Sequence, residues 1–249
     1  MHAATVLQKC LGGVFEPMHA ARRRTLLGAV TALLNSRRLI LMELARAWPG
    51  AERVRAPLKR LDRLLGNPHL AREAPRCYAA MARWLVRTAR PIVVVDWSEL
   101  KADGRWQLLR AGIPVGSRTL TVLEAVYPEQ EKNAPRVERQ FLQRLRTVLP
   151  KGVKPIIVTD AGFRAPWFRV VRSLGWDYVG RLRHRALVQL GPGTSWIANR
   201  RLHTRARPRP QRFRDVHIVR NEPWRCELVL LRRHRRGRQH LNSRGTPAR

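Results

Sequence analysis

Through most of the first ninety residues, apolar positions recur every three to four residues. Residues 25–34 (TLLGAVTALL) and 39–48 (LILMELARAW) each carry the period of a buried-face helix, and Pro49-Gly50 stops the second. Residues 53–65 (RVRAPLKRLDRLL) predict a short basic helix closed by Gly66-Asn67-Pro68, and a further helix is expected over 71–89. At Pro91 the period changes. Ile92-Val93-Val94-Val95 is a continuous β-branched run ending at Asp96, the pattern of a strand buried on both faces. Two strands are expected over 105–111 and 118–127, joined by a turn carrying Gly112, Pro114 and Gly116. Residues 134–149 place Val137, Phe141, Leu142, Leu145 and Val148 on one helical face. Ile156-Ile157-Val158-Thr159 repeats the buried-strand pattern and ends at Asp160. A helix over 165–174 and a strand over 177–182 complete an order of three strands, helix, strand, helix, strand. That order predicts a mixed α/β sheet.

Beyond residue 185 the periodicity weakens to short β-like pieces, at 215–219 and 225–231. Three regions result: helical residues 1–89, an α/β core over 90–185, and a β-rich region over 186–249. Short basic helices with tight turns suit a helix-turn-helix-like DNA reader. The plain alternative is a helical subdomain with solvated arginines.

Composition narrows the partners. The 249 residues hold 50 Lys plus Arg against 17 Asp plus Glu, a formal net charge of +33, while 44% are hydrophobic. That is apolar enough to bury a core and basic enough to be drawn onto phosphate backbones. No apolar run approaches the roughly 18 residues of a membrane span, and no basic amphipathic helix has an aromatic face. The first residues lack the pattern of a secretory signal. Cys10, Cys77 and Cys226 are widely spaced, which argues against a zinc module or a disulfide framework and fits a reducing cytoplasm. Nucleic acid is the expected partner.

Asp96 and Asp160 stand out as candidate chemistry, each an acid at the carboxyl end of an apolar strand. In open α/β sheets, ligands gather at that edge. Neighbouring strands would bring the two carboxylates together to hold divalent cations for phosphodiester cleavage. Alternatively, each Asp caps the turn that follows it. Lys101, Arg164, Arg181 and Arg183 are placed to touch phosphates near such a site, or to form a solvated face. Glu99 and Asp103 read as turn residues, Glu124 as half of a strand-edge ion pair, and Trp97 as a packing residue. Ser98 has no His and Asp arrangement for nucleophilic catalysis, the eight His show no metal spacing, and there is no glycine-rich phosphate loop.

Asp96-Trp97-Ser98 after an apolar strand, with Asp160-Ala161-Gly162-Phe163 following 64 residues later, resembles the bacterial insertion-sequence DDE transposases of the YREK-signature branch (insertion-sequence family four). The basic stretch Lys59 to Asn67 is similar to that family's helical amino-terminal region. Residues 237–242 (GRQHLN) resemble the β-rich insertion these enzymes carry inside a ribonuclease-H-like core. The resemblance implies that Asp96 and Asp160 are the first two acids of the catalytic triad and bind Mg²⁺ or Mn²⁺. It implies that residues 1–89 recognise terminal inverted repeats, with Arg55, Lys59, Arg60 and Arg63 contacting double-stranded DNA. The enzyme would pair two ends as a homodimer, act on target DNA, and work in the bacterial cytoplasm at the nucleoid.

The family's third acid sits in a Tyr-x2-Arg-x3-Glu-x6-Lys helix, a pattern that does not occur here. Glu222 and Glu227 lack the Tyr and Arg at those offsets. The expectation is therefore a truncated transposase, ending inside the insertion and inactive alone. A non-catalytic DNA-binding remnant, occupying transposon ends or inhibiting the full-length enzyme, is the rival reading, and a structure-specific nuclease is a third.

Overall fold

The computed structural model describes residues 3–182 and 186–232, which form two compact units, one up to Gly180 and one from Arg181. The first begins with five helices: α1 (Ala3–Phe15), α2 (Ala20–Ser36), α3 (Leu41–Arg46), α4 (Arg55–Leu65) and α5 (Pro68–Leu85). Two small cores hold them. Ala32, Leu44, Ala45, Trp48 and Leu61 form one, and Leu11, Phe15, Met18 and Ala80 form the other.

The segment Gly66-Asn67-Pro68, expected to close a helix, also opens the next one. Asn67 Oδ1 accepts from the His69 backbone N–H at 2.9 Å, and Pro68 occupies the first helical position, where a missing N–H costs nothing. The helix expected over 39–48 is shorter, and α1 was not anticipated.

The expected order of core elements is present: β1 (Ile92–Glu99), β2 (Trp106–Val115), β3 (Arg118–Pro128), α6 (Pro135–Val148), β4 (Ile156–Thr159), α7 (Ala165–Ser173) and β5 (Asp177–Gly180). The sheet order is β3-β2-β1-β4-β5, antiparallel through the first three strands and parallel across β1, β4 and β5. Gly112 and Pro114 lie within β2 rather than in its turn, with a bulge between Ala111 and Gly112. A Cβ on Gly112 would come within 2.4 Å of the Thr119 side chain, so the bulge and the glycine go together.

One sheet face is fully covered. Val93, Val95, Leu109, Ala111 and Ile157 are buried there, as are Phe141, Leu142 and Leu145 of α6 and Trp167, Phe168 and Val171 of α7. Gly180 lets β5 lie close under α7, because a Cβ at that position would meet the Phe168 ring at 2.3 Å. The expectation of burial on both faces fails on the other side, where Ile92 keeps 48% of its surface exposed and Val94, Ile156 and Val158 are only partly buried. No described helix is long and apolar enough to cross a membrane.

The second unit carries its own sheet, in the order β7-β6-β8-β9, from β6 (Leu187–Gln189), β7 (Ile197–Ala198), β8 (Gln211–Ile218) and β9 (Trp224–Leu230), with α8 (Arg200–His203) between β7 and β8. Its core is Val188, Leu202, Val216, Ile218 and Leu230.

Candidate active site

Two parallel neighbours, β1 and β4, position the acids. Val95 is the register partner of Thr159, so Asp96 and Asp160, each one residue further on, come to the same place at the sheet edge. Strand β1 does not end at Asp96; it continues through Glu99 because its antiparallel partner β2 keeps pairing, with Asp96 opposite Arg110. Alternation turns Asp96 to the open face and its neighbours Val95 and Trp97 to the helix-covered face.

Partial desolvation raises the Asp96 carboxyl above the ordinary range. The negative charge of Asp160 raises it further, against the Trp97 backbone N–H, which favours the ionised form.

Asp160 follows β4 and is held by its own turn. Its Oδ1 accepts from the Gly162 N–H at 2.8 Å. A Cβ at Gly162 would stand 2.9 Å from that same oxygen, so glycine is what lets the loop close on the carboxylate. The reading of Asp160 as a cap of the turn that follows it is therefore realised, with the carboxylate beside Asp96.

Beneath the acids, sequence reasoning missed a buried carboxyl. Glu138, in the first turn of α6, is 5% exposed, and its Oε1 accepts from the Trp97 indole N–H at 3.4 Å. Burial pushes its pKa up to about 7, partly offset by the Trp97 hydrogen bond and the positive charge of Arg164. Trp97 also packs edge-on against Tyr127, with ring centroids 5.6 Å apart, which agrees with its reading as a packing residue. Its burial follows from the packing of α6 against the sheet, and no local sequence pattern marks it.

The remaining candidates are placed as follows. Lys101 is exposed in the turn after β1, and Arg164 is the N-cap residue of α7, immediately after the Asp160 loop. Arg181 directly follows β5 in the chain, and Arg183 lies outside the described residues, as do residues 237–242. Arg55, Lys59, Arg60 and Arg63 all lie exposed along α4. Glu124 pairs with Arg110 at 3.0 Å across β2 and β3, and Asp103 accepts from the Arg105 backbone N–H in a turn, as expected. Glu99 is the last residue of β1 instead of a turn residue.

No group of three or more His, Cys, Asp or Glu side chains with metal-holding geometry occurs among the described residues. Glu227 is ion-paired with Arg212 on the neighbouring strand of the second unit.

The α/β core with its five-stranded mixed sheet fits a ribonuclease-H-like transposase domain, with Asp96 and Asp160 side by side where the parallel β1–β4 pairing ends. Residues 87–246, nearly two thirds of the chain, match the family described as the transposase DDE domain. The chain belongs to that family, whose members act in DNA transposition and recombination and generally use divalent metal ions. No curated protein and no solved structure matches the chain.

Proposed function

We propose that this chain is the transposase of a bacterial insertion sequence of the YREK-signature branch, working on double-stranded DNA at terminal inverted repeats in the bacterial cytoplasm. The observation that carries the reading is that Asp96 and Asp160 lie side by side, each one residue past the Val95–Thr159 pair of the parallel strands β1 and β4, within the matched family region.

The donor set suits a divalent cation. Two carboxylates whose charges oppose each other gain from a shared counter-charge, and Mg²⁺ takes few protein carboxylates and keeps water in its other positions. Asp96 and Asp160 would hold Mg²⁺ or Mn²⁺, which supplies a more acidic nucleophile and stabilises the leaving oxygen in hydrolysis and strand transfer. Gly162 fixes the Asp160 carboxylate by its backbone N–H. Lys101 and Arg164 bring positive charge to that sheet edge for backbone phosphates, and Arg181 and Arg183 join them on the sequence reading alone. Residues 1–89 read the repeats, with Arg55, Lys59, Arg60 and Arg63 of α4 on the DNA, and a homodimer pairs two ends. The third-acid pattern does not occur in these 249 residues, so cleavage by them alone is not expected.

The test is binding and nicking on a duplex carrying the element's own terminal repeat, in Mg²⁺ or Mn²⁺, against a scrambled duplex. Preference for the repeat supports the reading, and equal binding of both duplexes contradicts it. Nicking abolished by Asp160→Ala would mean that a carboxylate within this chain completes the site. Repeat-specific binding without nicking would make the chain a DNA-binding form of the transposase.

A further inference from the structure

Helices α2 and α4 enclose a groove of about 710 Å³. One helical face of α2 supplies Arg24, Thr25 and Gly28, and one face of α4 supplies Arg60, Arg63 and Leu64. Trp48 and Pro49, after α3, line it as well, with His19 and Asn67 contributing from the starts of α2 and α5.

Apart from Thr25, whose hydroxyl already donates to the Ala21 carbonyl, the polar side chains named in this wall carry donors, and no carboxylate lines it. Arg24, Arg60 and Arg63 have no ion-pair partner among the described residues, whereas Arg22, which also lines the groove, is paired with Glu73. His19 Nδ1 accepts from the Ala21 N–H, which leaves its other ring nitrogen to carry a proton outward. Asn67 uses its carbonyl oxygen on the His69 N–H, which leaves its amide NH₂ available.

Three unpaired guanidinium groups lining one groove repel one another, and an anion in that groove relieves the repulsion. The floor is apolar: Leu64 is buried, and the Trp48 ring lies so close to α2 that a Cβ on Gly28 would meet its Cζ2 at 2.5 Å. Helices in contact pack with axes roughly 8–10 Å apart. A groove between two such helices is too narrow for a duplex, whose own major groove of about 12 Å is what admits a helix. A cationic groove with an apolar, partly aromatic floor is instead the shape that tracks a single strand.

We infer that the groove between α2 and α4 binds unpaired DNA, with backbone phosphates on Arg24, Arg60 and Arg63 and a base against the Leu64–Trp48 floor. This rests on reading the helical region as DNA-contacting and adds a substrate state to it: strand separation beside the duplex that the rest of the region grips.

The experiment uses the full chain and a labelled oligothymidylate of about 12 nucleotides, within the usual range of single-strand sites, beside a duplex of equal length. Arg60→Gln/Arg63→Gln is compared with Arg72→Gln/Arg76→Gln, which removes the same charge from exposed positions of α5 outside the groove. Circular dichroism establishes that both variants fold, and Arg24→Gln repeats the test from the facing helix.

The expected result is about a tenfold larger loss of oligothymidylate affinity for the groove variant than for its control. With two phosphate contacts gone, its log-affinity against log-salt slope should flatten by about 1.4. Duplex affinity of the groove variant should also fall, because Arg60 and Arg63 are read as duplex contacts too, but by less than its single-strand affinity. Equal single-strand losses in the two variants, or duplex losses matching single-strand losses in the groove variant, would overturn the inference. Preference for the terminal repeat over a scrambled duplex is scored separately, so a failure of the transposon-end reading is distinguishable from a failure of the groove.

Discussion

Glu138 shows how one side chain can set a pH dependence for the whole fold. Its carboxyl is buried under the Asp96–Asp160 edge with a pKa of about 7, well above that of an exposed glutamate. Between roughly pH 4.5 and 7 the folded state therefore keeps a proton that the unfolded state has lost. The contribution is fully present below the unfolded value and disappears as pH rises through the folded one, a loss of about 3 kcal/mol by linkage. Glu138→Gln keeps an acceptor for the Trp97 N–H and removes the titration. Thermal unfolding should show the wild type losing stability from pH 5 to 8 while Glu138→Gln stays nearly level; parallel curves would contradict this assignment.

Gly162→Ala is the second test at this scale. Its Cβ would press on the Asp160 carboxylate oxygen at 2.9 Å, so Mn²⁺ affinity should fall with little change in melting temperature. Asp96 and Asp160 were legible in the sequence because an acid ending an apolar strand is a local signal. Glu138 and Arg110 were not, because their relation to the acids runs through α6 packing and the β1–β2 register, which no local pattern encodes.

Among the elements, the core strands and helices were readable because each had a long apolar run or a clear helical face. The errors fell where two signals share residues. Gly66-Asn67-Pro68 looks like a stop, and it is also the cap and first position of α5. Asn67→Ala should cost about 1 kcal/mol of stability through loss of the bond to the His69 N–H, measurable by denaturant unfolding. A cost near zero would mean that Pro68 alone starts the helix. Strand β1 was expected to end at Asp96, since polar residues follow it, yet pairing with β2 carries it to Glu99. Burial on both faces was inferred from the apolar β-branched runs alone, which cannot reveal that Ile92 remains half exposed and Val94, Ile156 and Val158 only partly buried on one side.

For the molecule as a whole, the charge of +33 is the dominant long-range feature. Binding to an arbitrary duplex should weaken steeply with salt, with a log–log slope steeper than about −5 if six or more phosphates are neutralised. A shallow slope would mean that most of the arginines never reach the DNA. The sequence supplied this charge and the two acids; the groove between α2 and α4 emerged only when helices distant in sequence were packed together. The central claim is that Asp96 and Asp160 form one divalent-cation site. Mn²⁺ binding by the full chain, followed by electron paramagnetic resonance, tests it directly. Binding that is lost in both Asp96→Asn and Asp160→Asn, with the fold intact, is the predicted result. Binding that survives either substitution unchanged, or no binding by the wild-type chain, would contradict it.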